Sequence, residues 1–242
     1  MPETLIPVWP APPGVRALQT LRSGGCSVAP WDSFNLGDHV GDASECVAAN
    51  RAQLCQLVPA PPLWLHQVHG NVAVNAENGI DFVAADASFT RRQGVVCAVM
   101  TADCLPVLFC NRAGNVVAAA HAGWRGLLAG VLEQTVSSMA VPPEDLLAWL
   151  GPAIGPACFE VGEEVRVAFL RESAETETAF VARGRGKWLA DIYQLARQRL
   201  KRCGVFAISG GDACTVNEKA HYFSYRRDGV TGRMASLIWL EE

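Results

Sequence analysis

Short apolar stretches with the length and β-branched content of strands recur along the chain, at residues 15–21, 63–68, 95–100, 106–109, 116–120, 147–150, 205–208 and 235–239. Other segments repeat at helical spacing. Leu127, Leu128, Val131, Leu132, Val136 and Met139 fall on one face of a helix whose polar side carries Glu133, Gln134 and Ser137. Leu189, Ile192, Ala196 and Leu200 repeat the pattern with Arg197, Arg199 and Lys201 outside, and Cys203-Gly204 supplies a stop. Residues 43–57 read as a third helix, with Asp42 as its cap and Glu45 at the capping-box position. Strands and helices alternate irregularly, without internal repeat or linker. The pattern predicts a mixed α/β (α+β) fold, one domain over residues 1–242 with mixed β-sheets covered by helices. The Glu/Thr-rich stretch 172–186, ending in Arg183-Gly184-Arg185-Gly186, reads as a solvated, mobile loop.

Composition narrows the picture. Of the 242 residues 50% are hydrophobic and 18% charged, enough to bury a sizeable core and too apolar for long disordered tracts. The net charge of -4 and scattered Lys and Arg residues argue against a nucleic-acid partner. No apolar run reaches bilayer-spanning length, and the proline-rich start lacks the basic and apolar regions of a secretory signal, so no membrane role is expected. Nine cysteines, several in apolar runs (Cys97, Cys110, Cys158) and none in a CxxC pair, suit a reducing compartment. The expectation is a cytoplasmic monomer.

Candidate chemistry gathers where apolar strands give way to glycine. His66 and His69 lie in Leu65-His66-Gln67-Val68-His69-Gly70, and His121 lies in Ala120-His121-Ala122-Gly123. In an extended segment Gln67 and His69 share a face opposite His66 and Val68, so one histidine faces a given pocket. Cys104 follows Thr101-Ala102-Asp103 and precedes Leu105-Pro106, another break in regular structure. Two imidazoles and a thiolate make a three-ligand set for zinc, with a fourth position left for water or substrate. Such a metal lowers the pKa of its water to roughly 7 and polarises substrate groups. A metal-free alternative uses the same atoms, with Cys104 as nucleophile and His121 as its base. On spacing alone both stand beside the plain reading of core and surface residues.

A wider set of motifs identifies a resemblance. Phe34-Asn35-Leu36, His39-Val40-Gly41-Asp42, Asn50-Arg51, the His66–Gly70 and Thr101–Cys104 segments, His121-Ala122-Gly123-Trp124-Arg125-Gly126, the stretch Gly151-Pro152-Ala153-Ile154-Gly155-Pro156 and Phe223-Ser224-Tyr225-Arg226-Arg227-Asp228-Gly229 together resemble the YfiH/YlmD-like, or laccase-domain, family over nearly the whole chain. The resemblance implies a fold akin to that of a deamidating bacterial toxin of the cysteine-hydrolase type. It places the family's metal ligands, zinc with copper as an alternative, on His69, Cys104 and His121. It further implies a purine nucleoside enzyme that cleaves adenosine, inosine and S-methyl-5'-thioadenosine with phosphate and also deaminates adenosine.

Within that reading His69, Cys104, His121 and Asp103 are the candidate catalytic residues, Asp103 orienting a ligand or relaying a proton. Asn35, Arg51, Gln67 and Arg125 are candidate substrate contacts. Phosphate anchors are sought among Arg51, Arg125, Arg226 and the backbone N–H groups at Gly123 or Gly155. Ala157-Cys158 departs from the two adjacent cysteines frequent in the family; Cys158 and Cys214 are read as packing residues. A conventional multicopper laccase needs about ten histidines, and this chain has five. The H-x-E and P-C-x-x-C signatures of cytidine-type deaminases are missing as well. The remaining alternatives are a weak copper-dependent phenol oxidase, a hydrolase that edits peptidoglycan precursors at an amide bond, the metal-free Cys104/His121 hydrolase, and a binding role.

Overall fold

The computed structural model describes residues 1–79 and 81–241. In chain order the strands and helices are β1 (Thr4–Leu5), β2 (Val15–Thr20), α1 (Ser44–Leu54), β3 (Ala73–Asn75), β4 (Ala87–Thr90), β5 (Cys97–Thr101), β6 (Leu105–Asn111), β7 (Val117–Ala122), α2 (Trp124–Ala129) and α3 (Val131–Met139). They continue with β8 (Leu146–Leu150), β9 (Glu160–Gly162), α4 (Glu163–Glu172), β10 (Phe180–Gly184), β11 (Lys187–Ala190), α5 (Ile192–Arg202), β12 (Ala207–Gly210), α6 (Tyr225–Asp228) and β13 (Met234–Leu240).

The strands form a mixed six-stranded sheet in the order β12-β8-β6-β7-β4-β3, a four-stranded sheet β1-β2-β13-β5 and a small antiparallel sheet β10-β11-β9. The period-two alternation of side chains divides the interior into layers. Along β6 and β7, Val107, Phe109, Ala118 and Ala120 point to a core shared with α2, α3 and α5. Their neighbours Leu108, Cys110, Val117 and Ala119 join a second core with Cys97, Val99, Ile238 and Leu240 of the facing sheet. The outer face of that sheet, through Ala98, Met100, Ala235 and Leu237, packs with Leu54 of α1. Because both faces are covered, β6 and β7 are buried along their full lengths, which is why they read as continuous apolar runs. The mixed α/β architecture is therefore as expected.

Several local expectations are corrected. Residues 63–68 form no strand and make only isolated bridges, Leu63 to Cys97 and His66 to Ala84. In their place the Gln67 side chain accepts from Met100 N at 2.7 Å and donates to Met100 O at 2.8 Å, satisfying β5 with an amide. The helix spanning Leu127 to Met139 is broken in two at Gly130, whose φ of 91° no helical residue adopts. Leu189 belongs to β11, and α5 begins after Asp191, which caps it by accepting from Gln194 N. Arg199, placed outside by periodicity, is buried and pairs with Glu133 at 2.6 Å, tying α5 to α3. The cap of α1 is Ala43 rather than Asp42, whose carboxylate accepts from the Asn35 side chain instead. The stretch 172–186 is not a loop: it contains the 3-10 turn Ala174–Ala179 and β10, because buried Thr176, Ala179 and Phe180 bind it to the core. Neither α4 nor the short strands β3, β4 and β9 stood out in the sequence.

Candidate metal centre and its cavity

The turn between β5 and β6 presents Cys104, the end of β7 presents His121, and the loop before β3 presents His69. Their donor atoms all lie within 4.8 Å of one another. His69 Nε2 is 3.8 Å from Cys104 Sγ, and the two imidazole rings meet edge-on with centroids 4.8 Å apart. A tetrahedral ion at zinc bond lengths holds nitrogen and sulfur ligands about 3.6 Å apart, so the cluster has the dimensions for one cation. Two glycines permit the convergence. A Cβ on Gly123 would meet Cys104 Sγ at 2.8 Å and His69 Cδ2 at 3.0 Å, and one on Gly126 would meet Gly70 O at 2.8 Å. That is the physical reason for small residues in His121-Ala122-Gly123-Trp124-Arg125-Gly126.

The residue that organises the cluster escaped the sequence reading. Asp86, fully buried just ahead of β4, accepts from His121 Nδ1 at 2.8 Å and from the backbone N–H groups of His69 (3.0 Å), Gly70 (2.7 Å) and Val68 (3.2 Å). One carboxylate thus shapes the loop that carries His69, whose φ is 59°. It also engages Nδ1 of His121 and turns Nε2 toward Cys104. A carboxylate behind an imidazole is the usual second partner of a metal-binding histidine. The available signal was a lone acid in the alanine-rich stretch Ala84-Ala85-Asp86-Ala87.

Electrostatics follow from this arrangement. Burial alone would push the Cys104 thiol up, but the charge on His121 and hydrogen bonds to both imidazoles override it and hold the thiol at about 6. Burial opposes charge on His121 too, yet the Cys104 thiolate and the Asp86 carboxylate raise it to about 9. Burial works against Asp86 in turn, and the hydrogen bond from His121 with those from the backbone keep it below its ordinary value. Cys97 and Cys110, without such partners, are pushed up to about 12 by burial.

In metal-stripped protein Cys104 is thus expected to be a thiolate above about pH 6, so iodoacetamide should modify it rapidly at pH 7 and slowly once the pH falls below that value. Cys97 and Cys110 should remain unmodified across the range. Peptide mapping by mass spectrometry checks this, and a Cys104 profile that rises only near pH 9 contradicts it.

The cluster opens into a cavity of about 710 Å³, within the usual range for small-molecule sites. Leu65, Phe82, Met100, Ile154, Phe159 and Trp124 give it apolar and aromatic walls, and Arg125, Arg226 and Arg233 bring positive charge. Of the residues singled out from sequence, Gln67, Asp103 and Arg125 line it. The Arg125 guanidinium lies over the Trp124 ring, 4.4 Å from its centroid. Asp103, at φ 91°, accepts from the Thr215 hydroxyl and from Arg226 N, both at 2.6 Å. Both carboxylate oxygens are thereby engaged, and Asp103 acts as a tie between the Cys104 turn and the segment around α6.

Two placements are corrected. Asn35 is fully buried and outside the cavity; its side chain holds Gly37, Asp42 and Arg233 N, which closes a loop rather than meeting a ligand. Arg51 also does not line the cavity: it donates to Leu36 O, pairs with Asp38 at 3.3 Å and stacks on Trp64. Gln67 reaches the wall, yet its amide is committed to Met100. His39, Phe159, Tyr225 and Arg233, not singled out as substrate contacts, line the cavity as well.

Comparison with known proteins places this geometry. The sequence profile of the family described as "Multi-copper polyphenol oxidoreductase laccase" matches residues 16–241. The chain belongs to that family. It is 57% identical over 244 residues to the purine nucleoside phosphorylase YfiH of Escherichia coli, a match that covers 99% of this chain and 100% of the relative. It is 48% identical over 243 residues to a purine nucleoside phosphorylase of Haemophilus influenzae, with the same coverage of each. Among solved structures, a Neisseria meningitidis protein superposes with a TM-score of 0.97 at 54% identity, covering 99% of both chains. YlmD from Geobacillus stearothermophilus gives 0.88 at 31% identity, covering 95% of this chain and 93% of its own. The chain thus shares its whole architecture with both of these solved structures. In this member, among the described residues, His69, Cys104 and His121 form the one cluster of three metal-capable side chains. No helix among those residues is long and apolar enough to cross a membrane.

Proposed function

We propose that this chain is a zinc-dependent purine nucleoside phosphorylase that splits adenosine, inosine and S-methyl-5'-thioadenosine with phosphate, and that the same centre deaminates adenosine. The observation that carries the reading is the convergence of His69, Cys104 and His121 at the wall of a nucleoside-sized cavity. The names of close full-length relatives point the same way. One thiolate and two imidazoles suit zinc, and the Asp86 carboxylate behind His121 is the partner such a ligand set calls for. When bound, the ion supplies Lewis-acid polarisation of a substrate group.

The chain's own residues do the rest. Phe82, Phe159 and Trp124 offer aromatic surface to a purine ring. Asp86 fixes the His121 ring so that Nε2 faces the reacting space. Arg125, Arg226 and Arg233 give the cavity the positive charge that draws in a phosphate dianion. The Asp103 tie fixes the Cys104 turn against the start of α6 at the cavity wall.

Incubation of zinc-replete protein with each nucleoside, with and without phosphate, tests the proposal. Chromatography should show free adenine, hypoxanthine or methylthioadenosine-derived adenine, together with a sugar 1-phosphate, only when phosphate is present. Inosine should also form from adenosine without phosphate. Absence of any purine base from metal-replete protein overturns the phosphorylase reading.

A further inference from the structure

One wall of the cavity carries a cation prepared from several directions. Arg233 immediately precedes β13, and the register pairs Met234 with Thr101, the last residue of β5 before the Cys104 turn. Its backbone is held at both ends: Arg233 N donates to Asn35 Oδ1 at 2.8 Å, and Arg233 O accepts from Leu36 N at 3.1 Å. Its aliphatic stem lies in the notch left by Gly37, where a Cβ would come within 2.7 Å of Arg233 Cγ. Its Nη1 donates to Thr231 O at 3.1 Å and Gly232 O at 3.0 Å.

Those two bonds exhaust Nη1. The N–H groups on Nε and Nη2, the fork that grips an oxyanion through two parallel bonds, have no protein partner among the described residues, and the side chain lines the cavity. Other shielded arginines differ. Arg22, Arg51, Arg166, Arg199 and Arg227 each reach a carboxylate within 3.3 Å, and Arg197 spends both Nη groups on the carbonyls of Ile208 and Gly210, whereas Arg233 reaches no carboxylate among the described residues and keeps a free fork. The negative groups that act on this half-buried cation, Cys104 and Asp103, form no ion pair with it, so its free fork is left for an anion in the cavity to complete.

We infer that Arg233, through its Nε/Nη2 fork, directly binds the phosphate co-substrate, with Arg125 and Arg226 adding positive charge elsewhere on the cavity wall. The identity of the anion rests on the phosphorylase reading; the oxyanion subsite itself rests on the geometry. Placing the anion there sets it beside the Cys104 turn, so a nucleoside sharing the cavity presents its sugar to the phosphate and its base to the aromatic walls.

Steady-state phosphorolysis of inosine by the zinc-replete full chain, read together with calorimetric titration of inorganic phosphate alone, tests the assignment. Arg233→Gln should raise the KM for phosphate and weaken the phosphate heat by about 10- to 100-fold, the range expected for charge-assisted bonds. The KM for inosine should stay within about twofold, because the fork discriminates the anion and not the nucleoside. Arg233→Lys keeps the charge and loses the fork, and should fall between the two; it carries the test if the glutamine variant melts early by circular dichroism. Unaltered phosphate KM and binding heat in a folded variant overturn the assignment, as does failure of the parent protein to bind phosphate. If the parent binds phosphate through Arg233 but releases no base from any nucleoside, the subsite stands and the phosphorylase reading falls.

Discussion

Cys104→Ser is expected to abolish metal retention and purine nucleoside turnover while leaving the fold intact. The sulfur is half-buried at a turn, so replacing it with oxygen disturbs little packing. Its value to the site is as a thiolate held at about 6 between two imidazoles, and a serine hydroxyl in the same position stays protonated and binds zinc poorly. Loss of a direct ligand should exceed the roughly 10- to 100-fold loss in affinity typical of removing a supporting group. Metal analysis after gel filtration and dialysis should therefore show a nearly empty variant beside a nearly stoichiometric parent. His221→Ala is the matched control, since His221 is exposed and lies outside the cavity lining. Full zinc occupancy in Cys104→Ser would remove Cys104 from the ligand set, and full activity would remove the metal from the proposed reaction.

Asp86→Ala should damage both stability and metal binding. The substitution leaves the buried N–H groups of Val68, His69 and Gly70 without an acceptor and strips His121 of its partner. Breaking a buried, charge-assisted network by deleting one member costs about 3–5 kcal/mol, which in a chain of this size lowers the melting temperature by on the order of 10 °C. Metal affinity should fall by roughly 10- to 100-fold as well. Asp86→Asn separates the two effects: it keeps the volume, but one of its edges presents N–H to backbone N–H. The pH dependence has a definite sign. The folded protein holds Asp86 below its ordinary pKa, so its contribution is complete above the unfolded carboxylate value and is lost as the pH falls through the folded one. The stability gap between parent and Asp86→Asn should narrow on acidification. Melting curves from neutral to acid pH check this, and a gap that widens would contradict it.

The sequence was most legible where burial is simplest. β5 to β8 and β13 announced themselves because residues covered on both faces must be apolar throughout. Residues 63–68 misled for the same reason. Trp64 and Leu65 are buried, but in a loop whose backbone is satisfied by scattered bonds to Phe82, Val83, Ala85, Val96 and the Asp81 side chain rather than by a continuous ladder. The helix from Leu127 to Met139 kept its apolar face across the break at Gly130, so periodicity alone concealed the kink. The helical pattern also set Arg199 in solvent, because spacing cannot register that Glu133 of another helix buries it as an ion pair.

For the site, the chain by itself determined the ligand types and their neighbours: histidine and cysteine at apolar-to-glycine breaks, with glycines where a side chain would collide. Those are local requirements, written in the residues that meet them. It could not determine which distant groups complete the constellation. Asp86 reaches across 35 positions to His121, and Arg233 comes to the cavity only because β13 lies antiparallel to β5. Asn35 and Arg51, equally prominent in their motifs, are turned inward to close a loop. Whether a polar side chain faces a ligand or a neighbouring backbone is set by strand register and by which donors and acceptors burial leaves unpaired. Both of these exist only once the tertiary structure has formed.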